Sequence, residues 1–160
     1  MNRVPSIDAV LARLKEASGG LVVPVVRQYL SDVRSYLTEL QVSGAGGALV
    51  NQTHSDLVDR LVRRLFEFAE SAYFAGGAEA DTDLCVVAVG GYARREMSIQ
   101  SDVDLLFLYR DSLTPYVASV AERVQQWLWD AALTVGGATR TIDDTVSLAR
   151  EDATVQTAVL

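Results

Sequence analysis

The chain has 160 residues, 49% hydrophobic and 22% charged, with a formal net charge of −7. That length supports one domain with a real core, and the acidic balance argues against a long nucleic-acid interface, which needs a basic stripe. No apolar run approaches the roughly 18–20 residues of a membrane span, the start MNRVPSIDAV has no secretory apolar core, and the single cysteine, Cys85, excludes an internal disulfide and fits a reducing cytoplasm.

In chain order, Ser6 is placed to cap a first helix carrying Ile7, Val10, Leu11 and Leu14 on one face, ended by Gly19-Gly20. A second helix is predicted from about Pro24 to Val42, with Val25, Val26, Tyr29, Leu30, Val33, Tyr36, Leu37 and Leu40 as its apolar stripe. Ser43 to Gly47 is a break. Thr53-His54-Ser55-Asp56 reads as a capping box for a third helix. Leu57, Leu61, Val62, Leu65, Phe66, Ala69 and Tyr73 lie on its buried face, and Asp59, Arg60, Arg63, Arg64, Glu67 and Glu70 elsewhere. A loop from Gly76 to Asp83 leads to a strand, Leu84 to Val89, that stops at Gly90-Gly91.

A second strand opens with Asp102-Val103-Asp104 and runs through Leu105-Leu106-Phe107-Leu108. Both apolar runs are nearly continuous, as in strands covered on both faces. Pro115 starts a helix to about Leu133, with Val117, Val120, Val124, Leu128 and one of Trp127 or Trp129 inside, and Gly136-Gly137 ends it. Ala138 to Ile142 has the β-branched character of a third strand. Asp143 is placed to cap a helix from Thr145 to about Arg150, and the chain stops inside what reads as a further, unfinished helix.

The chemistry concentrates at the second strand. Residues i and i+2 of a strand share a face, so Asp102 and Asp104 are expected side by side, about 6.5–7 Å apart at the backbone. Such a pair repels and loses hydration unless a cation sits between its members. A divalent cation carrying a nucleoside triphosphate meets that need; the plainer reading is a strand-start cap paired with an arginine. Gly90-Gly91, eleven residues before Asp102, lets backbone approach phosphate and offers amides to it, though such a pair is also an ordinary turn. Ser101 either donates its hydroxyl to a phosphate oxygen or caps the strand. Arg94 and Arg95 stand near the same place, with Glu96 as an ion-pair partner for one of them. Cys85 reads as a small buried hydrophobe. His54, the sole histidine, is expected at a helix start with no nucleophile or metal cluster around it, so neither a hydrolase triad nor a zinc site is supported. No Gly-Lys-Ser/Thr follows the glycines, and no third glycine opens a helix, so a Walker loop and a dinucleotide fingerprint are also unsupported.

The run GGYARREMSIQSDVDLLFLY resembles the signature of the DNA polymerase beta-like nucleotidyltransferases, and most closely the nucleotidyltransferase domain of the protein-PII uridylyltransferases. Leu128-Trp129-Asp130, Val135-Gly136 through Arg140-Thr141, Ala149-Arg150-Glu151-Asp152 and Thr154-Val155-Gln156-Thr157 share the likeness. It is dense from Val86 onward and thin before Ala48. Ala93 stands where that family usually has glycine, a change that a turn demanding positive φ would resist.

The resemblance implies an α/β (α+β) fold: a small mixed β-sheet nucleotidyltransferase core packed with helices. An N-terminal helical segment (1–47) would precede a nucleotidyltransferase domain (48–160) truncated at its C-terminal end, since the family continues into phosphohydrolase and regulatory domains. It implies Asp102 and Asp104 as catalytic residues holding Mg²⁺, with Gly90, Gly91, Arg94 and Ser101 on the nucleotide. The donor would be a nucleoside triphosphate, UTP by resemblance with ATP left open. The acceptor would be a tyrosine of a PII-type nitrogen-signalling protein, in the cytoplasm, with neither nucleic acid nor membrane as partner. The superfamily's third carboxylate has no evident counterpart. The third strand offers Arg140 instead, and one of the arginines of the third helix is a further candidate for the triphosphate, against their plainer reading as a solvated face. Two rival readings stand: adenylyl transfer to another protein, and a regulatory module that binds nucleotide without turnover.

Overall fold

A computed structural model describes residues 4–6 and 22–159; the helix expected between Ser6 and Gly20 lies outside them. Helix α1 (Val22–Val42) buries Val22, Val26, Tyr29, Val33 and Leu37, the centre of the stripe anticipated from its 3.6-residue period. The Tyr29 hydroxyl donates to the carbonyl of Leu57 at 2.9 Å, which satisfies a phenol whose pKa burial pushes up to about 12.

Helix α2 (Gly47–Phe74) packs on α1 and buries Leu57, Leu61, Val62, Leu65 and Ala69. It starts at Gly47 rather than at Thr53. The residues from Gly47 to Asn51 continue the helix without a break, and the Thr53 hydroxyl turns back to the carbonyl of Leu49 at 2.7 Å instead of capping. His54, expected at a helix start, is therefore in mid-helix and buried.

The remaining elements are β1 (Leu84–Ala88), the single-turn helix α3 (Gly90–Ala93), β2 (Val103–Tyr109), α4 (Pro115–Asp130), β3 (Val135–Thr141), α5 (Ile142–Glu151) and α6 (Ala153–Val159). The sheet is mixed and ordered β1-β2-β3. β1 runs antiparallel to β2, from Leu84 opposite Tyr109 to Ala88 opposite Leu105. β3 runs parallel to β2, from Val103 opposite Val135 to Tyr109 opposite Thr141. Val103, Leu105, Phe107 and Tyr109 of β2 bury one face of the sheet in a core shared with α1, α2 and α4. No described helix is long and apolar enough to cross a membrane.

Several local expectations are corrected. β2 is largely covered on both faces, but β1 is not: it is paired on one side among the described residues, and Cys85 and Val87 are exposed. Cys85 is thus a surface thiol, because alternate residues of an edge strand turn away from the helical layer. α4 opens as expected, with the Thr114 side chain accepting from the Val117 amide at 3.4 Å. It ends earlier, at Asp130, and Ala132 takes the left-handed φ of 64° that reverses the chain. Gly136 and Gly137 consequently lie inside β3 and do not terminate the helix. Trp127 is the indole that packs inward, 5.6 Å from the Phe68 ring; Trp129 is exposed and donates to the carbonyl of Val135 at 3.2 Å. Thr141, not Asp143, caps α5, accepting from the Asp144 amide at 3.0 Å, which leaves Asp143 and Asp144 in the first turn where the helix dipole favours acids. Asp152 accepts from the Thr154 amide at 2.7 Å and starts α6.

Candidate functional site

The site is built around Asp104, the second residue of β2. Two glycines close on it from neighbouring segments. Gly90 follows β1 with φ of 61°, and a Cβ there would lie 3.2 Å from Asp104 Oδ2. Gly136 is the β3 residue opposite Asp104, and a Cβ there would overlap Asp104 Oδ1. The carboxylate of Asp104 therefore stands between two stretches of bare backbone. The Val89 amide donates to the carbonyl of Asp104 at 3.1 Å, which fixes the glycine turn to the strand. Gly90 thus appears beside Asp104 as the spacing suggested. Gly136 is hidden in the sequence because a glycine pair after a helix has the look of its stop; two glycines entering a β-rich stretch are also the mark of close backbone approach.

Asp102 is exposed and precedes the ladder, since β2 opens at Val103 rather than at Asp102. Ser101 closes a tight turn: its hydroxyl accepts from the Ser98 amide at 3.0 Å and shares a 2.9 Å hydrogen bond with the Ser98 hydroxyl. Gly91 lies in α3, and the Glu96 amide returns to its carbonyl at 2.9 Å. Arg94 is exposed, its Nε on Glu96 Oε2 at 3.0 Å, the ion pair anticipated for Glu96.

Ala93 does not carry the positive φ that a glycine-only turn would impose. Among the described residues the non-glycines with positive φ are Arg95 and Ala132. A left-handed conformation costs an L-residue about 1–2 kcal/mol, and at Arg95 it is held by ion pairs to Asp56 at 3.1 Å and Asp59 at 2.5 Å, both on α2. The Tyr92 hydroxyl donates to the same Asp59 at 2.7 Å. Burial, reinforced by that carboxylate, drives the Tyr92 phenol far above its ordinary range, and the hydrogen bond to Asp59 raises the Arg95 guanidinium further.

The other candidates fall elsewhere. Arg60, Arg63 and Arg64 line a groove with Ser6, Asp56, Asp59 and Glu67, and Arg64 pairs with Glu67 at 2.7 Å, the solvated-face behaviour expected of most of them. Arg140 pairs with Leu108 in register and so shares the sheet face of Asp104, four residues or about 13 Å along the strand. No cluster of three or more His, Cys, Asp or Glu able to hold a metal is present among the described residues. His54 Nδ1 lies 3.3 Å from the carbonyl of Met97, and burial depresses its pKa. α6 packs against α3, so the C-terminal helix borders the glycine turn.

A carboxylate at the mouth of the central strand of a small mixed sheet, faced by a glycine turn and backed by helices, belongs to the nucleotidyltransferase class. The family model described as "Putative nucleotidyltransferase DUF294" matches residues 31–136, and the chain belongs to that family. It is 36% identical over 157 residues to a bifunctional uridylyltransferase/uridylyl-removing enzyme of Erythrobacter litoralis, covering 97% of this chain and 17% of that protein. It is 40% identical over 152 residues to the enzyme of the same description from Rhodospirillum rubrum, covering 94% of this chain and 15% of that protein. The chain thus spans about a sixth of the length of these curated relatives.

Proposed function

We propose that this chain carries out nucleotidyl transfer from a nucleoside triphosphate to a protein hydroxyl, with 48–160 as the transferase domain and 1–47 as a segment preceding it. The observation that carries the reading is the Asp104 carboxylate held between the backbones of Gly90 and Gly136. The glycine at 136 leaves the space that the Asp104 carboxylate itself occupies, and Gly90 brings bare backbone against its other oxygen, so a side chain at either position would crowd the carboxylate out of this placement. UTP is the donor favoured by the likeness to uridylyltransferases. A tyrosine of a PII-type signalling protein in the cytoplasm is the acceptor that the same likeness suggests.

The donor set suits Mg²⁺. This ion prefers hard oxygen ligands and is commonly bound by one or two carboxylates together with substrate phosphates. Asp104, with Asp102 beside the strand mouth, supplies such oxygens. Bound there, the ion would neutralise charge on the polyphosphate. The chain's own contribution is positional. Asp104 is fixed by the ladder with Gly90 beside it, and the amides of Gly90 and Gly91 would be the backbone donors offered to phosphate. Ser101 shapes the turn that delivers Asp102, and Arg94 would exchange Glu96 for a phosphate oxygen. The acceptor hydroxyl attacks the α-phosphorus, a new O–P bond forms, and pyrophosphate leaves.

The test is to titrate the chain with each of the four ribonucleoside triphosphates in Mg²⁺, and then to follow pyrophosphate release with candidate acceptor proteins. Selective UTP binding with release supports uridylyl transfer. Selective ATP use would move the assignment to adenylyl transfer. Binding without release from any acceptor would leave a regulatory nucleotide-binding module, and no binding at all would overturn the reading.

A further inference from the structure

We infer that Asp59 is a positioning residue for the nucleotide site, holding the Gly90–Arg95 turn in place from helix α2 through the Tyr92 hydroxyl and the Arg95 guanidinium. The inference rests on the nucleotidyl-transfer reading above. The turn has little of its own to stabilise it. α3 is a single helical turn, far too short to persist by itself, and it is followed by a non-glycine residue at φ of 61°. Its sequel up to Met97 has no strand partner, so its geometry must come from outside.

Beside the Val89–Asp104 hydrogen bond and the contact with α6, the outside support comes from α2. Asp59 receives Tyr92 on one oxygen, Oδ1 at 2.7 Å, and Arg95 on the other, Oδ2 at 2.5 Å. Asp56, one turn earlier, takes a second bond from Arg95 at 3.1 Å. His54 lies 3.3 Å from the carbonyl of Met97, and Asn51 donates to the carbonyl of Glu96 at 3.5 Å. Asp56 and Asp59 are spaced three apart and so share a side of the helix, as do Asn51 and His54, and the two pairs hold the connector at Tyr92 and Arg95 and at Glu96 and Met97. Asp59 is the member that binds the glycine turn itself. Tyr92 is 3% exposed, and its ring enters the core immediately after Gly91. Where Tyr92 sits decides where the Gly90 and Gly91 backbone stands relative to Asp104. A buried phenol bonded to a carboxylate is a stiff link, because the phenol left alone would be an unsatisfied buried polar group, while Asp59 is only partly buried. Asp59 itself does not touch the space beside Asp104, so its effect on nucleotide must pass through the turn.

The test compares the full chain with Asp59→Ala, Asp59→Asn and Tyr92→Phe by amide hydrogen exchange and by binding of Mg²⁺-nucleoside triphosphate. Asp59→Ala is expected to raise exchange at Ala93, Arg94 and Glu96, whose amides close the turn on Val89, Gly90 and Gly91, by about tenfold or more, while β2 and α4 keep their protection. Triphosphate affinity should fall by about fivefold or more. Asp59→Asn, whose single amide oxygen can accept from Tyr92 or Arg95 but not from both, should fall between wild type and Asp59→Ala on both readouts. Should Asp59→Ala not fold, Tyr92→Phe carries the same test, since it removes the hydroxyl and keeps the ring. Unchanged turn protection would overturn the anchor. Lost protection with unchanged affinity would make Asp59 structural only and overturn the positioning role. If the wild-type chain binds no triphosphate, the transfer reading fails, and the positioning role with it; the exchange data then still decide whether Asp59 anchors the turn.

Discussion

The two sides of β2 make opposite demands on their neighbours. Val103, Leu105, Phe107 and Tyr109 project into the helical layer and are buried by large side chains. Asp104, on the other side, is bordered at Gly90 and Gly136 by residues with no side chain at all. One face is filled to capacity and the other is kept bare at the point where a carboxylate stands. The first serves stability and the second is where the proposed transfer places its ligand, and single substitutions should separate them.

The largest expected effects lie at the two extremes of that contrast. Phe107→Ala should cost about 3–5 kcal/mol of stability, the range for an aromatic removed from a packed core, measured as a shift in the urea midpoint. Asp104→Asn should leave the midpoint nearly unchanged and abolish Mg²⁺-dependent triphosphate binding, measured by calorimetry. An Asp104→Asn protein that binds triphosphate normally would remove the carboxylate from the site; one that unfolds would place Asp104 with the core residues.

Gly136→Ala falls between them. The added methyl overlaps Asp104 Oδ1, so either the carboxylate or the strand must move. A cost of about 1–3 kcal/mol is expected, as for other overpacked positions, together with loss of triphosphate binding. Gly90→Ala should behave similarly for a second reason, since its φ of 61° disfavours any L side chain by about 1–2 kcal/mol. If both alanine variants bind triphosphate with wild-type affinity, the bare surfaces are packing features and nothing more.

The same contrast explains what could be foreseen. The helical stripes of α1, α2 and α4 were legible because burial on one face imposes a 3.6-residue period that Val26, Tyr29, Val33 and Leu37 display directly. Asp104 and the glycine turn were legible because a carboxylate at the mouth of an apolar strand is costly without a reason. Gly136 was not, because its role exists only through the register that sets it opposite Asp104, and register between β2 and β3 depends on where α4 stops. The exposure of Cys85 is hidden for a related reason: five apolar residues in a row do not reveal whether a strand is central or at the edge. Asp59 carried no signal beyond a charge on a helix, since its partners lie 33 and 36 residues further along the chain.

His54 tests whether the helical layer and the connector are one unit. Its folded pKa is depressed from 6.5, chiefly by burial. Above the unfolded value both states are neutral at this residue and stability does not depend on it. As pH falls through 6.5 the unfolded chain takes up the proton more readily than the folded one, so stability declines until the depressed folded pKa is reached. The urea midpoint should therefore drop between pH 7.5 and 5.5 in the wild type, and by less in His54→Gln. An equal drop in both would assign the pH dependence to other groups.

The smallest expected effect on stability is at Arg94, and there it is informative. Its ion pair with Glu96 is exposed on both sides, with side-chain exposures of 47% and 64%, and such pairs contribute about 0.2–1 kcal/mol at most. Arg94→Gln should thus leave the urea midpoint almost where it was. If Arg94 releases Glu96 to meet a phosphate, the same substitution should weaken triphosphate binding several-fold, and Glu96→Gln should not weaken it, since that change frees the guanidinium. Equal, negligible effects from both would leave Arg94 on the solvated surface with the arginines of α2, and the bare backbone around Asp104 would have to hold the polyphosphate without a guanidinium from this turn.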